Sequence, residues 1–190
     1  MVRRLAVYCG SSVGSDRDFS DTASLVGRAM VSRGIDLVYG GGRLGLMGIV
    51  ADTVLAGGGK VYGVIPAMLE DHEVAHQGLT EQHVVTTMHE RKAKMTELTD
   101  AFVALPGGIG TLDELFEAWT WYTLGFHAKP FALLNVNGYW DQLIGFLDTV
   151  AEKNFMSRQR REMLIHGDIF EDVLDRLIAA ADNRPSALTC

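Results

Sequence analysis

The sequence predicts an α/β fold: a doubly wound parallel sheet flanked by helices, in a single domain. Three observations carry this. Short apolar runs alternate with helical patterns of about 10–15 residues, the spacing of strand–helix–strand crossovers. Glycines cluster at 10, 40–48 and 107–110, each just after a predicted strand, on the edge where open parallel sheets bind ligands. The 190 residues suit one domain, 1–181, followed by a loose tail at 182–190 that has no periodicity.

Each element has a local reason. Leu5–Cys9 is an apolar run and reads as a strand. Phe19–Arg33 reads as a helix stopped by Gly34, the residue that most easily takes the left-handed turn ending a helix. Ile35–Tyr39 is a second strand, followed by Gly40–Gly42 and a helical stretch to Leu55 that Gly57–Gly59 closes. Lys60–Ile65 is a strand ended by Pro66, and His83–Thr86 is a short one. Met88–Thr99 reads as a polar helix, Ala101–Leu105 as a strand, Pro106–Gly110 as a glycine-rich turn, and Thr111–Leu124 as a helix crowded with aromatic residues. Phe131–Val136 is expected to be the last strand, with Asn137-Gly138 as its turn. The remainder reads as helical. Phe170, Val173, Leu174, Leu177 and Ile178 form one apolar face at spacings of three and four.

Composition excludes several functions. The net charge is −7 and the pI about 5.3, so general binding to nucleic acid or anionic membranes is not expected. Any anion must be held by local geometry. Two cysteines, Cys9 and Cys190, make no disulfide framework, which points to a reducing, cytoplasmic setting. No apolar stretch is long enough to span a bilayer or to serve as a secretory signal.

The sharpest motif is Pro106-Gly107-Gly108-Ile109-Gly110-Thr111-Leu112-Asp113-Glu114. Glycines let the backbone approach a ligand closely, and the amides of the following helix favour a phosphate. The competing reading makes Thr111 an N-cap and Glu114 the other half of a capping box. Three glycines exceed what a cap requires and tip the balance toward a ligand. Gly40-Gly41-Gly42-Arg43-Leu44-Gly45 matches G-x-G-x-x-G, but no acid stands at the end of the next strand, as a dinucleotide site would want. It reads as a second close-approach loop, for ribose or phosphate. No phosphate-loop pattern of NTPases is present.

Arg91 and Lys92 open the helix at Met88. Cations there oppose the helix dipole and want an anionic partner. The plainer reading is a solvated face with a Glu90–Lys94 pair. His72-Glu73-Val74-Ala75-His76 matches H-E-x-x-H, two imidazoles with Glu73 as base. It lacks a marked third ligand, and it lies on a short segment between Pro66 and Gly78. A zinc hydrolase on His72, Glu73 and His76 is therefore one alternative function.

Pro106–Glu114 fits P-G-G-x-G-T-x-x-E and Met88–Lys92 fits M-x-x-R-K. With Gly40–Gly42 and the Cys9–Ser12 strand end, the chain resembles the Lonely Guy (LOG) family, whose members are often mislabelled lysine decarboxylases. The resemblance runs from about residue 3 to residue 180. It implies a Rossmann-like fold and a phosphoribohydrolase that cleaves cytokinin riboside 5′-monophosphates, and AMP more weakly, to free base and ribose 5-phosphate. It also implies a homodimer or hexamer with the site near the subunit interface, and no metal or organic cofactor. Carried over by motif, Arg91 and Glu114 are catalytic. Lys92, Gly107, Gly108, Gly110 and Thr111 bind the nucleotide, Met88, Ile109, Leu112, Asp113, Gly41, Gly42 and Ser12 are substrate-binding with them, and Glu73 and Thr120 are further substrate contacts. A second alternative is a nucleotide or cofactor carrier on the same fold, which would bind without hydrolysis.

Overall fold

The computed structural model describes residues 1–69 and 75–183. Seven strands form one parallel sheet: β1 (Arg4–Tyr8), β2 (Asp36–Tyr39), β3 (Val61–Pro66), β4 (Glu81–Val85), β5 (Ala101–Ala104), β6 (Phe131–Leu134) and β7 (Leu164–Gly167). Their spatial order is β4-β3-β2-β1-β5-β6-β7, and every pairing is parallel. The helices are α1 (Arg17–Ser32), α2 (Gly45–Ala56), α3 (Met88–Leu98), α4 (Ile109–Thr123), α5 (Asp141–Glu152), α6 (Arg158–Glu162) and α7 (Phe170–Asp182).

Strand alternation divides the core in two, because successive side chains leave opposite faces of a sheet. Leu5, Val7, Leu37, Tyr39, Val103 and Ala132 pack beneath α1, α2 and α7. Ala6, Tyr8, Val38, Phe102, Phe131 and Leu133 pack beneath α3, α4 and α5. A sheet covered on both sides needs apolar residues at every strand position, which is why β1, β5 and β6 read as continuous runs. Gly34 ends α1 with φ +64°, and the amides of Gly34 and Ile35 return to the carbonyls of Val31 and Met30 at 3.0 and 2.9 Å.

One element departs from the expectation. Leu164–Gly167 is a seventh strand where only helix was expected, so β6 is not the last. It is four residues long, lies at the sheet edge and buries only Leu164 and Ile165. Two buried residues carry no detectable period.

The order places the switch point between β1 and β5. From β1 the chain winds outward to β4, then returns to β5 on the other side of β1. Loops leaving these neighbours diverge and open a crevice at the carboxyl edge. Phe102 is fully buried and stacks on Tyr8 with ring centroids 5.8 Å apart. Phe102→Ala should lower the unfolding free energy by about 3–5 kcal/mol in a denaturant titration.

Candidate active site

The crevice is floored by the turn after β5 and walled by the loop after β1. The Gly10 amide donates to the Pro106 carbonyl at 3.1 Å, tying the two together. A cavity of about 210 Å³ opens there, lined by Gly10, Ser12, Phe19, Gly107, Gly108 and Tyr139 among others.

The glycine turn is not a capping box. Helix α4 begins at Ile109 with Gly108 as its N-cap, and no side chain caps it. Thr111 lies inside the first turn, buried, with its hydroxyl over Gly107: a Cβ at 107 would stand 2.1 Å from Thr111 Oγ1 and 2.9 Å from the Gly10 nitrogen. Gly107 is thus required by internal packing. Gly108 and Gly110 have no such reason. Neither has a positive φ, and no neighbour lies within 4 Å of where a Cβ would be. Glycine at these two positions keeps open the space before an uncapped helix start, where amides and dipole favour an anion.

Glu114 stands one turn into α4, half-buried. Its charge reaches the end of β1. Burial, then Glu114, push the Cys9 thiol far above its ordinary range. Burial, then Glu114 and Glu117, raise the Tyr8 phenol, while Arg91 opposes. Tyr8 therefore lies within the fields of both Glu114 and Arg91, which α4 and α3 bring to the same face of the sheet.

Arg91 is buried, not solvated. Its Nε donates to the Val64 carbonyl at 3.1 Å and its Nη2 to the Gly40 carbonyl at 2.8 Å, with Met88 Sδ 4.0 Å from Nη1. A Cβ at Gly40 would fall 2.2 Å from Nη2. The first glycine of the 40–45 loop thus makes room for the guanidinium. Gly45 in turn accommodates the Ser11–Ser12 backbone, 2.3 Å from its Cβ position, at φ +62°. Gly41 and Gly42 are themselves buried, and Gly42 bridges to Ala75. Packing accounts for glycine at 40 and 45.

Lys92 also differs from expectation. Only 8% exposed, its Nζ lies 2.8 Å from Glu117 Oε2 and 3.1 Å from Asp113 Oδ2. Burial opposes its charge, but the bonds to Glu117 and Asp113 outweigh that and raise its pKa. Lys92 is a strut between α3 and α4, gripping the residues on either side of Glu114. The expected Glu90–Lys94 pair is replaced: Lys94 pairs with Glu97 at 3.1 Å, while Glu90 accepts from the Thr86 amide at 2.7 Å and Thr87 caps the Glu90 amide.

The remaining residues divide. Ser12 lines the cavity, and Ile109 is 82% exposed at the helix start. Met88 is half-exposed beside Arg91, and Leu112 packs against the core beneath α4. Thr120 is displaced from the crevice. Its hydroxyl donates to the Phe116 carbonyl, and it lines an apolar groove with Phe116, Trp119, Leu124 and Phe155. His72 and Glu73 lie outside the described residues. His76 is described: its Nε2 lies 2.9 Å from Asp52 Oδ1. No group of three metal-ligating side chains occurs among the described residues. Sequence reading missed Tyr139, whose only signal was its place after the Asn-Gly turn.

These features define a Rossmann-like α/β protein with its ligand end at the β1–β5 switch point. Residues 47–177 match the family model described as "Possible lysine decarboxylase", and the chain belongs to that family. It is 46% identical over 175 residues to the cytokinin riboside 5′-monophosphate phosphoribohydrolase LOG3 of Arabidopsis thaliana, covering 92% of this chain and 81% of that protein. It is likewise 46% identical to the phosphoribohydrolase LOG of Oryza sativa subsp. japonica, covering 92% and 72%. Among solved structures, the molybdenum cofactor carrier protein of Chlamydomonas reinhardtii shares the fold with a TM-score of 0.71 at 18% identity, over 94% of this chain and 99% of that one.

Gly40→Ala should push the Arg91 guanidinium aside and lower kcat/KM on the order of 100-fold, a loss that steady-state kinetics on a nucleotide substrate would register. Lys92→Met should act on alkaline stability. Because the folded pKa is raised, the strut's contribution is complete below the ordinary lysine value near ~10.4 and is lost as pH rises through the folded value. Thermal melts across pH 8–12 should show that decline in the native protein and a flatter profile in the variant.

Proposed function

We propose that this protein hydrolyses the N-glycosidic bond of cytokinin riboside 5′-monophosphates, and of AMP more weakly, giving free base and ribose 5-phosphate. The single structural observation that carries the reading is Glu114 set one turn behind an uncapped, glycine-opened helix start. Relatives at 46% identity over nine-tenths of the chain bear that activity in their names.

The geometry suits the chemistry. Cleaving a ribosyl C–N bond builds positive charge on the sugar, and a nearby carboxylate stabilises it. In the hydrolysis the C1′–N bond breaks and a C1′–O bond to water forms. Glu114 takes the proton from that water, and the departing base takes up a proton in return. The phosphate, held by the amides before α4, fixes the ribose against Glu114, so remote binding energy orients the reacting atoms. Gly107, Gly108, Ile109, Gly110 and Thr111 supply that cradle. Arg91 places a fixed, desolvated cation beside the same face, offsetting the negative charge of phosphate and leaving base.

The family's descriptive name implies lysine chemistry, and the lysines do not support it. Lys92, alone near the crevice, is held charged by Glu117 and Asp113, whereas a Schiff-base lysine must be deprotonated to attack. Lys129 donates to the Thr96 carbonyl and Lys94 pairs with Glu97. Lys60 and Lys153 are exposed, before β3 and after α5.

A homodimer completes the reading. Leu124 and Phe155, 65% and 87% exposed, line the apolar groove that holds Thr120; Phe146, 62% exposed, lies on α5, and Phe126, 74% exposed, lines a separate hollow with Trp121 and His127. A second copy of the chain covers this surface, since exposed apolar patches of this kind mark interaction sites. The reducing cytoplasm, expected from cysteine usage, is where nucleoside monophosphates are found. No described helix is long and apolar enough to cross a membrane.

Glu114→Gln should retain AMP binding in calorimetry and lose at least about a hundredfold in kcat; wild-type turnover in this variant would remove Glu114 from the mechanism. The unphosphorylated riboside should react far more slowly than the nucleotide, and equal rates would overturn the phosphate cradle. Base release abolished by EDTA would instead favour the zinc alternative, and binding without release the carrier. Leu124→Arg with Phe155→Ser should convert a dimer to a monomer in light scattering.

A further inference from the structure

The turn between β6 and α5, residues 135–140, is unusually well fixed. Asn135 takes its amide to the Gly167 carbonyl at 2.7 Å, at the end of β7. Its side chain closes the turn on itself, with Nδ2 donating to Asp141 Oδ1 and Oδ1 accepting from the Trp140 amide, both at 2.7 Å. Asn137 and Gly138 both take left-handed conformations, at φ 50° and 71°. A Cβ at Gly138 would also meet Asp141 Oδ2 at 2.6 Å. The turn is thus anchored to the sheet and bonded within itself.

From this fixed base it reaches both the wall and the floor of the crevice. Asn137 Nδ2 donates to Asp16 Oδ2 at 3.1 Å and to Asp18 Oδ2 at 2.7 Å, holding the start of α1 and the end of the Ser11–Ser15 loop. Tyr139 Oη donates to the Gly107 carbonyl at 2.7 Å, and its ring meets Phe19 edge-on at 5.5 Å. Tyr139 itself lines the cavity. A peptide group is planar, so fixing the Gly107 carbonyl also fixes the N–H of Gly108. That N–H is the first donor before the uncapped start of α4.

We propose that Tyr139 is a positioning residue for phosphate recognition: through the Gly107 carbonyl it sets the glycine turn in its anion-binding orientation, and Asn137 holds the wall in register. The inference rests on the phosphate reading of that turn. The chemistry separates ring from hydroxyl. The ring packs on Phe19 and Trp140, and phenylalanine retains those contacts. The hydroxyl alone reaches the turn.

The test compares wild type, Tyr139→Phe and Asn137→Gly, the last keeping a left-handed backbone without the amide. Kinetics would use N6-isopentenyladenosine 5′-monophosphate and the unphosphorylated riboside, and calorimetry would use ribose 5-phosphate. Loss of one neutral hydrogen bond should raise the nucleotide KM and the ribose 5-phosphate Kd together, by roughly three- to tenfold in Tyr139→Phe. The kcat should stay within about twofold, and the riboside KM and melting temperature should not move. Asn137→Gly should shift the same two constants in the same direction. Unchanged KM and Kd in Tyr139→Phe, or an equal rise for riboside and nucleotide, would overturn the proposal while leaving the function intact. Wild-type protein that neither binds ribose 5-phosphate nor prefers the nucleotide would overturn the phosphate reading itself and this proposal with it.

Discussion

A buried guanidinium organises this molecule. Taking a permanent cation out of water is costly unless its N–H groups are met. Among the described residues two backbone carbonyls meet it: Gly40 just beyond β2 and Val64 within β3. Those carbonyls are in place only when β2 and β3 are paired and α3 is docked across them. The site and the sheet are therefore one cooperative object. The glycine requirement at 40 follows, since any side chain there would occupy the space of Nη2. So does the stiffness of the loop up to Gly45, which is packed in turn against Ser11 and Ser12.

Around that cation, electrostatics are divided between two helices. Helix α3 contributes Arg91 and Lys92, and α4 contributes Asp113, Glu114 and Glu117. Lys92 engages Asp113 and Glu117, while the charge of Glu114 acts on Cys9 and Tyr8 at the end of β1. Two adjacent cations in a sequence thus have different work, one bonded to the sheet ends and one holding the facing helix.

Much of the fold was legible because strands buried on both faces are continuous apolar runs, and because Gly34 and Gly57–Gly59 mark helix ends unambiguously. β7 was not legible, because two buried residues at a sheet edge carry no periodicity. The motif residues Arg91, Glu114 and Gly107–Gly110 were visible as a pattern. Their individual reasons were not. Spacing alone made Thr111 an equally good N-cap, and only its packing over Gly107 shows that the threonine sits inside the first turn instead. The bracing role of Lys92 was not legible, because its partners lie 21 and 25 residues away in sequence, on another helix. Tyr139 was missed for the same reason: a tyrosine after an Asn-Gly turn has no meaning until the turn is seen to lie beside the Gly107 carbonyl.

The fold is shared with molybdenum cofactor carriers at low identity, so the sheet alone does not decide between holding a ligand and cleaving it. The open start of α4 does bear on how a cleaving enzyme would run. An amide cradle that grips a phosphate grips it equally before and after the glycosidic bond is broken. On the proposed reading the base is not held by those amides and leaves first, and the sugar phosphate leaves last. Accumulated ribose 5-phosphate would then compete with fresh nucleotide for the same amides, so output would fall as product pools, with no separate regulatory site required.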